Sequence, residues 1–511
     1  MNRLAPIYTA AGIRAIEQAA PVEYGSLMSR AGEVAAAHAR RMLEADPQRP
    51  GRSVLVVAGP GNNGGDAFEV AVHLKAAYFR VAVVFAGDPD KAAESQPADA
   101  RRALAKWQAA GGGVAADVPR SQRWDLVIDG LFGIGLTRVL EGRHAGLVAA
   151  MNAIAEQGVP VLALDVPSGI NGDTGAVMGC AVRATATISF IALKPGLLTL
   201  GGPDHCGRLH CDTLGLAPAN LLAPPGALLD TSVRDLLPPR PRSFHKGNAG
   251  AVAVIGGAEG MVGAAFLAGR AAIKTGAGKV YLGLLAAAEH PGAAAPAFDP
   301  LQPELMLRRP ADAMATAGVI VAGPGMGQSG AAFSALRAAL ATECPLVLDA
   351  DALNLMAGSI ALAEHATRRH APTLLTPHPA EAARLLAVGT ADVQRDRIAA
   401  ACAMADRYNS CVVLKGNGSI LAAPAGTGPR PRWWINATGN PGMASAGMGD
   451  VLAGIAASLL AQGMRAQAAL QLAVWAHGAA ADALAARGDG PVGITASEVI
   501  DVARRMLNRA A

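Results

Sequence analysis

No stretch of this 511-residue chain approaches the roughly 20 consecutive apolar residues that a membrane span requires. The first 20 residues lack the apolar core of a secretory signal and carry Arg3, Arg14 and Glu17 instead. Charge is scarce: 16% of residues are charged and the net charge is +4, which gives no argument for a nucleic-acid partner. The six cysteines fall at no framework spacing, which suits a reducing compartment rather than a disulfide scaffold. These absences leave a cytoplasmic enzyme, with no membrane and no nucleic acid among its partners, as the expectation.

What the chain does have is apolar content, 51% by residue, enough for sizeable cores. Its length predicts two or three domains. Prolines cluster at Ala217–Pro225 and Leu237–Arg242, and the spacing predicts domains over 1–222 and 244–511 joined by a linker over 223–243. Both halves alternate short branched apolar runs with alanine-rich helical stretches, the pattern of doubly wound α/β domains with parallel buried strands. Predicted strands are Ser53–Ala58, Val81–Ala86, Leu126–Asp129, Val161–Val166 and Ala186–Leu193. In the second half they are Ala251–Ile255, Lys279–Leu284, Val319–Ala322, Leu346–Asp349, Thr373–Thr376 and Cys411–Leu414.

The most informative segment is Gly439–Asp450, four glycines and one carboxylate leading into a predicted helix from Val451. Small residues let a backbone approach an anion, and a helix start offers it free N–H groups. An acid at such a site suits phosphoryl transfer, with Asp450 accepting the proton of the attacking hydroxyl. The bland alternative is a glycine-rich turn whose acid favours the helix dipole.

In the first half a predicted strand runs into Gly59–Asp66, with a helix expected from about Ala67. This loop lacks the Lys-Ser/Thr of a Walker motif and is not a GxGxxG fingerprint. A second strand ends at Asp129 before Gly130–Leu136, and a third at Asp165 before Val166–Gly175. Each loop alone reads equally well as turn formation by Asp and Asn. Three strand ends with acids and glycines together fit one shared crevice, where open α/β sheets bind ligands.

These ordered motifs resemble a known family, the bifunctional NAD(P)H-hydrate repair enzymes, in which an epimerase domain precedes an ADP-dependent dehydratase domain. In the second half the resemblance runs through His245–Gly250, Gly260–Ala264, Gly323–Gly327, Asp349–Asn354, Thr376–Glu381, Lys415–Ser419 and the Asp450 loop. One departure is Ala67, where the family commonly has glycine; no chemical group is lost there.

The resemblance implies a Rossmann-like three-layer epimerase and a ribokinase-like dehydratase. It implies that Asn62, Asn63, Gly64, Gly65 and Asp66 hold the hydrated nucleotide together with Gly133, Ile134, Gly135, Leu136, Thr137, Arg138 and Val139. Asn63, Asp129 and Ser168 would bind a potassium ion, and Asp165 would be the acid/base. In the dehydratase, Lys415, Gly416, Asn417, Gly418, Ser419 and Gly449 would contact the nucleotide. Ala264, Gly325, His378 and Asp450 would contact the hydrate, with Asp450 catalytic. Implied partners are hydrated NADH and NADPH, ADP with magnesium, and further copies of the chain in a homo-oligomer. A ribokinase-type small-molecule kinase with a nucleotide-binding N-terminal module is the alternative.

Other features have plainer readings. His205, Cys206, His210 and Cys211 sit at metal-like spacing, yet the segment also reads as a short strand. Lys246 is as consistent with a solvated loop cation as with a phosphate contact. Trp433 and Trp434 read as a packing feature of a strand.

Overall fold

The computed structural model describes residues 4–21, 26–44, 52–87, 96–119, 122–286, 298–426 and 431–508; Arg3 lies outside them. The chain forms two compact α/β units, one of Pro6–Pro225, the other of Gly226–Ala511 with Met1–Ala5.

In the first unit a two-residue strand, β1 (Pro6–Ile7), leads into α1 (Ala10–Ala19) and α2 (Leu27–Glu44). The sheet is built from β2 (Ser53–Ala58), β3 (Arg80–Phe85), β4 (Val114–Ala115), β5 (Leu126–Gly130), β6 (Val161–Leu164), β7 (Ala186–Phe190) and β8 (Arg208–Asp212). Their order is β4-β3-β2-β5-β6-β7-β8, all parallel. Helices α3 (Asn62–Ala76), α4 (Ala98–Ala109) and α5 (Gly142–Ala155) are the main crossovers. Alternation along β2 sorts its side chains. Val54, Val56 and Ala58 join the core with Phe68 of α3 and Trp107 of α4, while Leu55 and Val57 pack with Leu147 and Met151 of α5. The strand order reverses between β2 and β5, so the loops following these two strands open the crevice where doubly wound sheets take ligands.

The second unit repeats the logic. Its strands are β9 (Gly226–Leu228), β10 (Ala251–Gly256), β11 (Lys279–Leu284), β12 (Leu305–Arg308), β13 (Val319–Ala322), β14 (Leu346–Leu348) and β15 (Thr373–Leu375). They continue with β16 (Cys411–Leu414), β17 (Ser419–Ala422) and β18 (Trp433–Asn436). From β9 the order is β9-β18-β17-β16-β15-β14-β13-β10-β11-β12; β17 alone runs against its neighbours. The reversal here falls between β10 and β13. The principal helices are α6 (Val262–Lys274), α7 (Gly330–Leu340), α8 (Ala350–Ala357), α9 (Pro379–Leu386) and α10 (Arg397–Arg407). After β18 come α11 (Met448–Ala461), α12 (Ala466–Ala486) and α13 (Ala496–Asn508). Helix α11 is apolar on all sides because it is buried within the layer that also contains α6 and α12.

Two predicted helix starts move. Helix α3 begins at Asn62 rather than near Ala67, and α11 at Met448 rather than Val451. In both cases glycines sit inside the first helical turn: a Cβ on Gly64 would overlap the Gly59 carbonyl, and one on Gly449 would crowd the Lys415 and Asp349 side chains. The proline-rich segment 223–243 is also structured. It carries β9 and a 3-10 turn over Thr231–Leu236, whose Val233 is buried in the second unit's core.

Strand β9 covers the edge of β18, pairing Ala227 with Trp434. Trp433 and Trp434 are both buried. A second-unit fragment starting at Thr231 should therefore melt below one starting at Gly226. Uncovering one large side chain costs about 2–3 kcal/mol, or roughly 4–12 °C for a unit of this size. Equal melting temperatures for the two fragments would show that β9 is dispensable.

Candidate active sites

In the first unit, β2 ends at Ala58 and the chain turns through Gly59 into α3. A Cβ on Gly59 would overlap the Leu131 carbonyl, so only glycine lets the loops after β2 and β5 meet. Gly61 caps α3 with no side-chain hydrogen bond, so Asn62–Asp66 form the opening of a helix whose N–H groups are available to an anion.

Asp129, at the end of β5, is fully buried. Its carboxylate accepts from Ser168 Oγ at 2.5 Å, from the Ser168 N–H at 2.8 Å and from the Leu131 N–H at 3.2 Å. Burial pushes its pKa up to about 6, against the pull of those donors. Asn63 is also buried, and both its carboxamide atoms lack a hydrogen-bond partner. An orphaned buried amide is costly, and a monovalent cation at this position would satisfy its oxygen.

Asp165 follows β6 with φ of +62°, a conformation that a non-glycine residue adopts at a cost. Its Oδ1 accepts from Lys194 Nζ and, at 3.3 Å, from the Phe190 N–H. Lys194 is 0% exposed and also donates to Ser189 Oγ at 3.0 Å and the Phe190 carbonyl at 2.7 Å. A cavity of about 540 Å³ opens in front of this pair, and Arg14, Glu17, Asn63, Asp66 and Asp165 are among its lining residues. Asp66 is held well above the ordinary carboxylate range by burial, then by the negative charges of Asp165 and Glu17, against the opposing Lys194. Of the expected substrate loop, Gly133–Leu136 line the cavity; Thr137, Arg138 and Val139 are exposed and do not.

In the second unit the loops after β10 and β13 meet. The Gly257 N–H donates to the Pro324 carbonyl and the Ala258 N–H to that of Gly325. Ala264, in the first turn of α6, lies 3.1 Å from where a Cβ on Gly325 would be, so these two predicted residues are neighbours. Beside them, Lys415 Nζ donates to Asp349 Oδ1 at 2.8 Å, and Thr376 Oγ1 donates to the same oxygen at 2.7 Å. A Cβ on Gly449 would lie 3.1 Å from Lys415 Nζ and 3.2 Å from Asp349 Oδ2. The first turn of α11 thus rests directly on the Lys415–Asp349 pair. Gly416, Asn417 and Gly418 form the turn between β16 and β17, closed by Ser419 Oγ donating to the Gly416 carbonyl at 3.0 Å.

Asp450 is pushed up to about 7, by burial first and then by Asp349, with Lys415 pulling the other way and Asp351 adding to the rise. Burial opposes the Lys415 ammonium, yet Asp349, Glu381 and Asp450 together hold its pKa above the usual value. His378 is exposed, and its ring caps α9: Nδ1 accepts from the Ala380 N–H at 3.1 Å and the Glu381 N–H at 3.3 Å. His477 of α12 is buried and its Nε2 has no partner; burial and the Lys415 charge lower its pKa to about 4, keeping it neutral.

Among the described residues no group of three His, Cys, Asp or Glu side chains could hold a metal ion, and no helix is long and apolar enough to cross a membrane. The His205–Cys211 segment follows suit. His205 Nδ1 meets the Gly201 carbonyl at 2.8 Å, Cys206 Sγ donates to the Leu197 carbonyl at 3.7 Å, and His210 packs on His38. Lys246 is exposed.

Comparison with known proteins agrees with this division. A family described as NAD(P)H-hydrate dehydratase matches residues 252–504, and one described as YjeF-related protein N-terminus matches residues 25–196. The chain is 38% identical over 520 residues to a bifunctional NAD(P)H-hydrate repair enzyme of Coxiella burnetii, covering 98% of this chain and 99% of that one. It belongs to the bifunctional NAD(P)H-hydrate repair enzyme family. The Escherichia coli K12 relative is 39% identical over 492 residues, covering 94% of this chain and 89% of its own. Among solved structures, an ADP/ATP-dependent NAD(P)H-hydrate dehydratase from Bacillus subtilis, co-crystallised with ATP and magnesium, is 31% identical. It covers 54% of this chain and 94% of its own, with a TM-score of 0.45.

Sequence reasoning missed several residues of this repair-family chain. Lys194 was one position past a predicted strand end, and its burial next to an acid was the clue: a buried ammonium needs a partner. Arg14 and Glu17 come from α1, which carries no motif. Asp482 of α12 accepts from the Gly439 N–H at 2.8 Å and from Asn440 Nδ2 at 3.0 Å, tethering the start of the Asp450 loop. Lys194→Met should leave Asp165 without its partner and destabilise the first unit by about 3 kcal/mol, the lower end for a broken buried pair because Asp165 borders the cavity. Calorimetry should show the first unit melting early while the second keeps its transition; an unchanged first transition would contradict the pairing.

Proposed function

We propose that this chain repairs hydrated NADH and NADPH. The first unit interconverts the R and S epimers of the hydrate, and the second dehydrates the S form to NAD(P)H at the expense of ADP, releasing AMP and phosphate. The observation that carries the proposal is Asp450. It lies in the first turn of α11, beside a lysine–carboxylate pair, with a pKa near neutrality.

In the second unit, hydroxide is a poor leaving group and phosphate a good one. Asp450 removes the proton of the C6 hydroxyl as that oxygen attacks the β-phosphorus of ADP and the bond to AMP breaks. The N–H groups of Gly447–Gly449 and the Lys415 ammonium face the phosphoryl charge. The ring-nitrogen electrons then expel phosphate from C6, the resulting iminium loses its C5 proton to the departing phosphate or water, and the dihydronicotinamide is restored. The residues present suit a magnesium ion that arrives on the nucleotide, since they offer scattered carboxylates and no all-protein cage. When bound, that ion neutralises phosphate charge. Ala264 and Gly325 flank the hydrate, and Lys415–Ser419 with Gly449 contact the nucleotide. His378 is proposed to meet the hydrate while its ring caps α9.

In the first unit, Asp165 is the acid/base that assists departure and return of the C6 hydroxyl. Lys194 holds its carboxylate in place. Asn63, Asp129 and Ser168 would hold a potassium ion, and the orphaned Asn63 amide supports that assignment. The ion would supply a fixed positive charge beside the carboxylates. Gly64, Gly65 and Gly133–Val139 would cradle the nucleotide together with Asn62 and Asp66. Domain limits of 1–222 and 244–511, a homo-oligomer and a reducing cytoplasm belong to the same proposal; all six cysteines are free.

Asp450→Asn keeps the shape of the loop and removes the base. Dehydration in single turnover should slow by at least about a hundredfold, the lower end for a general base, while ADP binding and epimerisation persist. The carboxylate form acts, so parental kcat/KM should rise as pH increases through about 7, and the variant should lack that limb. A near-parental rate in the variant would reduce Asp450 to a helix-dipole residue.

A further inference from the structure

Among the described residues, the first-unit cavity presents three carboxyl side chains, Glu17, Asp66 and Asp165, to whatever enters it. Lys194 lies behind Asp165 and its ammonium is committed to Asp165, Ser189 and the Phe190 carbonyl. Among the described residues that line the cavity, Arg14 is the one cationic side chain. It stands three positions before Glu17 on α1, about one helical turn away, so both side chains reach the same opening. No hydrogen bond or ion pair to a described residue engages it. Its Nη2 lies 3.8 Å from the position a Cβ would take on Gly135, and beyond that glycine's two chain neighbours no other described residue comes within 4 Å of it. The guanidinium therefore overhangs the open side of the Gly133–Leu136 loop. Helix α1 also precedes the segment matched by the family, which begins at residue 25.

A dinucleotide carries two linked phosphates. Bringing that charge towards three carboxyls requires a fixed cation, and a guanidinium can take phosphate oxygens two at a time. The uncapped N-terminus of α3, on the same cavity, adds N–H groups of the same polarity. We infer that Arg14 is the phosphate-binding residue of the first-unit site and pairs with the pyrophosphate of the hydrated dinucleotide. This rests on the epimerase reading of that unit.

The test uses the full chain and its Arg14→Gln and Arg14→Lys variants, with epimerisation of NADH hydrate followed at several ionic strengths. Removing one charge-assisted contact should raise KM about 10- to 100-fold and leave kcat near the parental value. Arg14→Lys should fall between, because an ammonium cannot bind in the bidentate mode. Parental KM should rise with salt, and that of Arg14→Gln should rise less. Binding of unhydrated NADH to the first unit, by calorimetry, should weaken in the same order. An unchanged KM in Arg14→Gln, a loss confined to kcat, or a parental KM indifferent to salt overturns the assignment. A parental chain that binds NADH through Arg14 yet never epimerises its hydrate would instead overturn the reading of the unit as an epimerase.

Discussion

Both sites depend on backbone meeting backbone at the point where strand order reverses. In the first unit Gly59 presses on the Leu131 carbonyl; in the second, Gly256, at the end of β10, presses on that of Pro324, just after β13. A Cβ at either position would force the strand-end loops apart. Their closeness places Asn63 and Asp66 beside Gly133 and Asp165 in one unit. In the other it brings Ala264 to Gly325. The chemistry is thus set by where two loops are allowed to touch.

On that scaffold both units adopt the same electrostatic arrangement. A lysine with little or no exposure is paired to an aspartate at a strand end, Lys194 with Asp165 and Lys415 with Asp349. Each pair is costly to bury and is kept because its partners are complete: Lys194 makes three hydrogen bonds, and Asp349 also receives Thr376. The charge fixed in this way acts on a neighbouring acid. Burial raises both Asp66 and Asp450, and Asp165 adds to the first rise and Asp349 to the second.

Much of this was legible in the sequence because buried parallel strands must be apolar and short, and loops at their ends must be small and polar. The strands from Ser53–Ala58 to Cys411–Leu414 were readable for that reason, as were Asp129, Asp165 and Asp450. Lys194 was not, because its partner lies 29 residues away and no local pattern reports a tertiary pair. Arg14 and Glu17 lie on an amphipathic helix whose polar face reads as ordinary solvent surface. The starts of α3 and α11 were misplaced because glycine lowers helix propensity, and tertiary packing overrode it. Strand β9 was hidden by the prolines that precede it, Pro224 and Pro225, although Trp433 and Trp434 on the facing strand call for a cover.

The central claim is that one chain carries both halves of the repair. Its most direct test is the recovery of reduced-nicotinamide absorbance from a mixture of R and S NADH hydrate, incubated with the intact protein, ADP and magnesium. The account predicts complete recovery, with AMP and phosphate formed in step with NADH, and no recovery without the nucleotide. Recovery that halts once the S epimer is exhausted would contradict an active first unit. A stable phosphorylated product without recovered absorbance would identify the second unit as a kinase.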